Sequence, residues 1–155
     1  MNKRVLDPCC GSRMWHFDKT NHDVLFGDIR CERHTLCDGR NLEITPDKII
    51  DYTNLPFDDD TFYLVVFDPP HLIHVGDKSW MIKKYGRLKN WETEIRNGFD
   101  ECMRVLKPNG TLCFKWNEIQ IPVSKILSTI GKQPIVGHKS GKASKTHWML
   151  FLKDL

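Results

Sequence analysis

Five consecutive apolar residues, Tyr63-Leu64-Val65-Val66-Phe67, lie between the polar turn Asp58-Asp59-Asp60 and the rigid pair Pro69-Pro70. The run is too short for a buried helix and lacks the alternation of a strand with one wet face. It reads as a strand covered on both sides. Such a strand belongs inside a mostly parallel sheet, because parallel neighbours need crossover connections that lay chain over both faces.

The remaining segments arrange themselves around it. Lys3–Leu6, Asp23–Asp28, Lys48–Asp51 and Thr111–Trp116 read as further short strands, and Pro134–His138 with His147–Leu152 as a terminal pair. Between them, Arg13–Thr20 is expected to be helical. Trp91–Leu106 carries Ile95, Phe99, Cys102, Met103 and Leu106 near helical spacing and stops at Pro108 and Gly110; Val123–Thr129 is the last helix. Ile29–Thr45 is poorly periodic and turns at Asp38-Gly39, so an irregular connection or a small hairpin is expected there. The alternation predicts an α/β sheet, mostly parallel, ending in an antiparallel hairpin.

Length and composition narrow the class. At 155 residues, with 40% hydrophobic and 28% charged residues, residues 1–155 are expected to form a single domain with a real core rather than a disordered or low-complexity chain. No apolar run approaches the ~18–20 residues of a membrane helix, and Asp7 interrupts the start before a signal-peptide core could form, so a soluble, cytoplasmic protein is expected. The six cysteines, two of them adjacent, read as reduced thiols. Cys31, His34 and Cys37 have spacing that would suit a metal but lack a matching fourth ligand, so no metal is expected.

Four strands in succession end in an acid: Asp7, Asp28, Asp51 and Asp68. One such acid is ordinarily a turn former or a helix cap. Four of them at the carboxyl edge of one sheet, where ligands of open α/β sheets sit, would line a crevice with carboxylates. That crevice suits hydroxyls, amines and a positive centre, and repels a triphosphate; no phosphate-cradling Gly-x-x-x-x-Gly-Lys-Ser/Thr run is present. A cofactor bearing a ribose diol, an adenine amine and a cationic centre fits the set.

In these residues the chain resembles the class I, Rossmann-like S-adenosylmethionine-dependent methyltransferases. Val5-Leu6-Asp7-Pro8-Cys9-Cys10-Gly11-Ser12 is similar to their first motif, where small residues let the backbone approach the methionine part of the cofactor. Asp28 follows at the spacing of a ribose-binding acid. Asp51-x-x-x-Leu55-Pro56-Phe57 resembles the third motif, with its acid near the adenine amine, and Leu106-Lys107-Pro108-x-Gly110-Thr111-Leu112 the lead into the fifth strand. Asp68-Pro69-Pro70-His71 resembles the Asp/Asn-Pro-Pro-aromatic signature of amino-group methyltransferases. The resemblance spans Val5 to Lys153 and implies a three-layer sheet with S-adenosylmethionine bound by Asp7, Pro8, Cys9, Cys10, Gly11, Asp28, Asp51, Leu55 and Asp68. This chain departs from the pattern in carrying one glycine and two cysteines in the first motif, in His71 where Tyr, Phe or Trp is usual, and in opening on its first strand.

The fourth motif has a chemical rationale. An exocyclic amine is a poor nucleophile because its lone pair is delocalised into the ring. Acceptors at the Asp68 carboxylate and the Pro69 carbonyl, held rigid by two prolines, would bond both amine hydrogens and free that lone pair. His71 would stack on the base or hydrogen-bond it. Asp68, Pro69, Pro70 and His71 are therefore the candidate catalytic residues.

Net charge is only +3, yet Glu43 to Asp68 holds seven acids against Lys48, whereas Ile119 to Lys153 holds six lysines and no acid. Trp80, Lys83, Lys84, Tyr85 and Arg87, in a polar segment after the fourth motif, have the composition of a substrate lid, and Lys139, Lys142 and Lys145 that of a phosphate-contacting loop. A solvated lysine surface accounts for the same charges, Trp80 would serve equally as a core anchor, and Asn117 as substrate contact or turn residue. The expected activity is methylation of an exocyclic amine on nucleic acid, DNA before RNA and adenine N6 foremost, by a monomer or homodimer. The alternatives are a small-molecule or protein methyltransferase using His71 as general base, or a cofactor-binding subunit without activity.

Overall fold

The computed structural model describes residues 2–154. In chain order the strands are β1 (Val5–Asp7), β2 (Val24–Asp28), β3 (Glu32–Thr35), β4 (Asn41–Ile44), β5 (Lys48–Ile49), β6 (Phe62–Phe67), β7 (Leu106–Asn117), β8 (Val136–Lys139) and β9 (Thr146–Leu152). The helices are α1 (Trp80–Tyr85), α2 (Trp91–Val105) and α3 (Val123–Ile130). Seven strands form one sheet in the order β5-β2-β1-β6-β7-β9-β8. The first five are parallel, and β9 and β8 add antiparallel to one another and to β7. The all-apolar β6 lies between β1 and β7 of a mostly parallel sheet; Phe62, Val65 and Phe67 are buried, but Tyr63 is exposed, so the cover expected on both sides is incomplete.

Alternate residues of these strands feed two different layers. Leu6, Leu25, Val65, Phe67, Leu112, Phe114 and Trp116 pack with Ile95, Phe99, Cys102 and Val105 of α2 and with Ile126 of α3. The α2 residues recur at steps of three and four, which gathers them into one apolar stripe. Each fully buried aromatic or aliphatic side chain here stabilises the fold by about 1.5–3 kcal/mol.

The opposite face carries Val5, Val24, Phe26 and Cys10. The helix expected over Arg13–Thr20 is absent: residues 11–23 run through successive turns. Arg13 sits in the left-handed region at φ 60°, and Asp18 accepts from both the amide and the hydroxyl of Thr20, a local bond that competes with helix. Side chains anchor this segment instead. The Arg13 guanidinium lies 3.9 Å from the Phe26 ring centre, His16 packs edge-on to Phe26, and Trp15 meets Trp148 of β9 at 5.0 Å.

Other boundaries shift modestly. The irregular stretch after β2 contains the hairpin β3–β4, which turns through Gly39 at φ +82°. Strand β5 is only two residues long, and β7 starts at Leu106, ahead of the expected Thr111.

Candidate active site

Parallel strands deliver their carboxyl ends to one edge, and a cavity of about 230 Å³ opens there. Of the predicted site residues, Pro8, Cys9, Cys10, Gly11, Asp28, Asp68, Pro69, Pro70, His71, Lys84, Tyr85 and Arg87 line it. Ser12, Met14, Trp15, Ile29, Arg30, Tyr52, Gly86 and Lys115 complete the wall.

The four strand-end acids take different places. Asp7 is fully buried: its carboxylate accepts from the Cys9 amide at 3.2 Å and lies 2.7 Å from His16 Nε2. Burial pushes its carboxyl up, and His16 opposes the shift. Asp28, 4% exposed, accepts from the Gly11 amide at 2.9 Å and from the Arg30 amide at 2.9 Å. Asp51 is exposed and accepts from the Thr53 amide and hydroxyl, outside the cavity wall. Leu55 is buried in the α2 core, also off the wall.

Glycine at position 11 is favoured by its φ of +50°, and a Cβ there would meet open space. The first-motif loop thus presents its backbone to the cavity, tied to Asp28 by its own amide. Arg30 extends the tie, since its guanidinium donates to the Lys83 carbonyl of α1 at 2.8 Å. The thiols of this loop are inert: burial pushes Cys10 up to about 12 and Cys9 well upward.

At the other end of the cavity, Asp68 ends β6 with 28% of its side chain open. Burial pushes its carboxyl up to about 6, against the pull of Lys115, whose Nζ donates at 3.1 Å. Burial, with help from Lys115, brings His71 down to about 4, which keeps the imidazole neutral at physiological pH. The His71 ring packs against Tyr85 at 5.1 Å and edge-on to Trp116 at 6.4 Å. Gly86, at φ +74°, closes tightly on Pro70: a Cβ there would approach the Pro70 ring to 3.2 Å.

A second cavity of about 190 Å³ adjoins the first and shares Asp68, His71, Tyr85 and Lys115 with it; Met81, Asn117, Ile119 and Thr146 form the rest. Here lies the predicted Asn117. A third, of about 560 Å³, shares Ser12, Met14 and Lys84 with the first and brings Arg13, Lys19 and Arg40 beside the single acid Glu43.

The predicted basic rim is divided. Lys84 and Arg87 stand at the cavity, Arg87 paired with Asp77 at 2.8 Å, while Lys83 meets it only through the Arg30 bond to its carbonyl. Trp80 is 44% exposed, with the Lys84 ammonium 5.7 Å from its ring, and does not serve as a core anchor. Lys139 and Lys142 line a separate hollow between α3 and β8–β9, and Lys145 accepts the Glu118 amide through its carbonyl. Cys31 and Cys37 are exposed, His34 pairs with Glu32 at 2.7 Å, and no cluster of three metal-ligating residues occurs among the described residues.

Met14, Trp15, Ile29, Arg30, Tyr52, Gly86 and Lys115 line the cavity without having been expected there. Only Lys115 carried a signal, being a lysine between Phe114 and Trp116 in an otherwise apolar strand.

No protein-family model matches the chain, and no curated protein matches it by sequence. Solved structures do resemble its fold. A TehB-like SAM-dependent methyltransferase from Corynebacterium glutamicum superposes with a TM-score of 0.60 at 16% identity, covering 99% of this chain and 81% of that one. A protein from Pyrococcus horikoshii gives 0.62 at 16%, with coverage of 97% and 81%. A SAM-dependent methyltransferase from Methanosarcina mazei gives 0.54 at 12%, with coverage of 97% and 92%. The chain therefore has the fold of these methyltransferases.

Proposed function

We propose that the chain is an S-adenosylmethionine-dependent methyltransferase acting on an exocyclic amine of nucleic acid, adenine N6 of DNA foremost. The observation that carries this reading is that the buried Asp28 carboxylate and the Asp68-Pro69-Pro70-His71 segment line one cavity.

The residues present fit the cofactor. Asp28 Oδ2 takes one recorded bond, from Gly11, and a carboxylate oxygen has capacity for a second, which a ribose hydroxyl would fill. Ile29, 63% exposed beside it, and Tyr52 offer apolar surface to a planar base, while the open side of Gly11 admits close backbone approach. When bound, S-adenosylmethionine supplies a methyl carbon on a sulfonium, so that the N–C bond forms as the S–C bond breaks and a neutral thioether leaves.

This chain's own residues do the rest. Asp68 and the Pro69 carbonyl accept the two amine hydrogens and hold the nitrogen in line. A carboxylate lifted to about 6 is ionised at neutral pH and basic enough to take the proton that the alkylated amine sheds. Tyr85 and His71, already packed together, form a stacking platform for the base, with Met81 and Asn117 beyond. Lys84, Lys19 and Arg40 border the mouth with charge suited to phosphates.

The rival that uses His71 as general base is weakened by the same burial, because an imidazole pushed down to about 4 holds a proton poorly at neutral pH. No helix among the described residues is long and apolar enough to cross a membrane. A cytoplasmic setting, one domain over 1–155 and a homodimer or monomer complete the proposal. Incubation with methyl-labelled cofactor and separate pools of DNA, RNA, protein and metabolites, read by mass spectrometry, tests it. Label on N6-methyladenine is expected; label confined to protein or metabolites would overturn the nucleic-acid reading.

A further inference from the structure

Lys115 stands where an apolar strand should carry no charge. Its neighbours Phe114 and Trp116 are buried in the α2 core, so its side chain leaves β7 on the opposite face. There its Nζ lies 3.1 Å from Asp68 Oδ2 and 5.6 and 5.5 Å from the ring centres of Trp15 and Trp148. An ammonium has three donors. Asp68 is the one acceptor it meets among the described residues, and the indoles offer ring faces rather than lone pairs. With 27% of its side chain exposed, the ammonium keeps donors free for a further acceptor.

The place where that acceptor would come from is marked. Asp68, His71, Tyr85 and Lys115 are the four residues common to the cofactor cavity and the adjoining 190 Å³ cavity, so they form the wall across which the two communicate. A methyl acceptor in the second cavity meets Asp68, an acceptor group, and Lys115, a donor, side by side.

We propose that Lys115 is a specificity-determining residue: with Asp68 it reads an amine together with the acceptor atom beside it on the same planar ring. Adenine and cytosine present such an edge. Aliphatic amines do not. The inference rests on the methyltransferase reading and narrows its substrate to amines flanked by a ring nitrogen. Lys115 also keeps Asp68 usable, because the charged groups facing that carboxylate are Lys115 from β7 and the opposing Asp7 from β1, with His71 neutral beside them.

Oligonucleotides with one target adenine, or with 1-deazaadenine or 7-deazaadenine in its place, test the assignment, since each analogue keeps the amine and loses one ring acceptor. For the wild type, kcat/KM is expected to fall about tenfold or more on one analogue and little on the other, the size of a lost charge-assisted hydrogen bond. Lys115→Met should flatten that ratio to within about twofold, a loss of discrimination between the analogues that a merely structural role would not produce. Its acid limb of activity should also move to higher pH, and Lys115→Arg should restore both the limb and part of the discrimination. If Lys115→Met fails to fold, the wild-type ratio and Lys115→Arg still decide. An active wild type indifferent to both analogues, or a Lys115→Met enzyme that keeps the discrimination, overturns the assignment alone. Wild-type inactivity on oligonucleotides bearing either base overturns the nucleic-acid reading and this one with it.

Discussion

Asp28 accepts the Gly11 amide on one oxygen and the Arg30 amide on the other, so the carboxylate marked for a diol also ties the first-motif loop to β2. Removing it should do two things that a milder change separates. Asp28→Ala is expected to weaken cofactor binding by about 1–3 kcal/mol and to loosen the loop, whereas Asp28→Asn keeps one acceptor, for Gly11, and should lose affinity with a smaller fall in melting temperature than Asp28→Ala. Calorimetry and thermal unfolding on both variants check this; wild-type affinity in Asp28→Asn removes the diol role. The pH dependence belongs to Asp68. The proposed mechanism requires its ionised form, and burial raises its carboxyl to about 6, so kcat/KM should fall as pH drops through 6 and plateau above it. His71, already neutral above about 4, contributes nothing to that limb. His71→Phe should keep the same midpoint with packing on Tyr85 intact; a vanished limb in that variant would return the general base to His71. At this scale the sequence was readable where the residues are adjacent. Asp68-Pro69-Pro70-His71 stand together in the chain and line one cavity wall. Lys115 and Arg30 acquire their meaning from partners 47 and 53 residues away, which spacing alone does not reveal.

Helix α2 shows how an element shapes a site it does not enter. At Gly98 a Cβ would come within 2.5 Å of the Tyr52 ring and 2.8 Å of the Phe67 ring, and Tyr52 is part of the cavity wall. Alanine is the better helix former by about 0.8–1 kcal/mol, yet Gly98→Ala is expected to destabilise the protein by about 1–3 kcal/mol, because overpacking outweighs propensity. It should also weaken cofactor binding through Tyr52. Urea unfolding and calorimetry measure the two effects, and a stabilised variant with intact affinity would show that the helix yields easily. Periodicity identified α2 and α3 because each offers one apolar stripe to the sheet. It failed at residues 13–20, where Trp15, His16 and Arg13 are held by long-range rings rather than by helical neighbours. The two-residue β5 was overextended for a related reason: Asp51 turns on Thr53 through its side chain and leaves the ladder early.

Across the whole molecule, cations gather in two separate hollows, and only the second draws on the lysine-rich stretch Ile119 to Lys153. Lys19, Arg40 and Lys84 border the hollow that opens from the active site, while Lys139 and Lys142 lie in a separate one between α3 and the terminal hairpin. Nucleic-acid affinity should fall with salt at a log–log slope of about −0.9 per duplex phosphate contacted. Neutralising Lys19 and Arg40 together should shallow that slope by about 1–2, and neutralising Lys139 and Lys142 should leave it nearly unchanged. The reverse pattern would mean that substrate approaches over the hairpin. The turns that replace a helix across residues 11–23 bear on stability in another way. They carry Gly11 and Trp15 of the cavity and also cover Phe26 on the sheet, with few backbone hydrogen bonds of their own. Such a cover opens at a free energy well below that of global unfolding, so its amides should exchange with deuterium ahead of those in β1, β6 and β7. A ligand seated against Gly11 would then act as a reversible clasp, adding about 2.7 kcal/mol at a hundredfold excess over its Kd and drawing these exchange rates down toward those of the strands beneath.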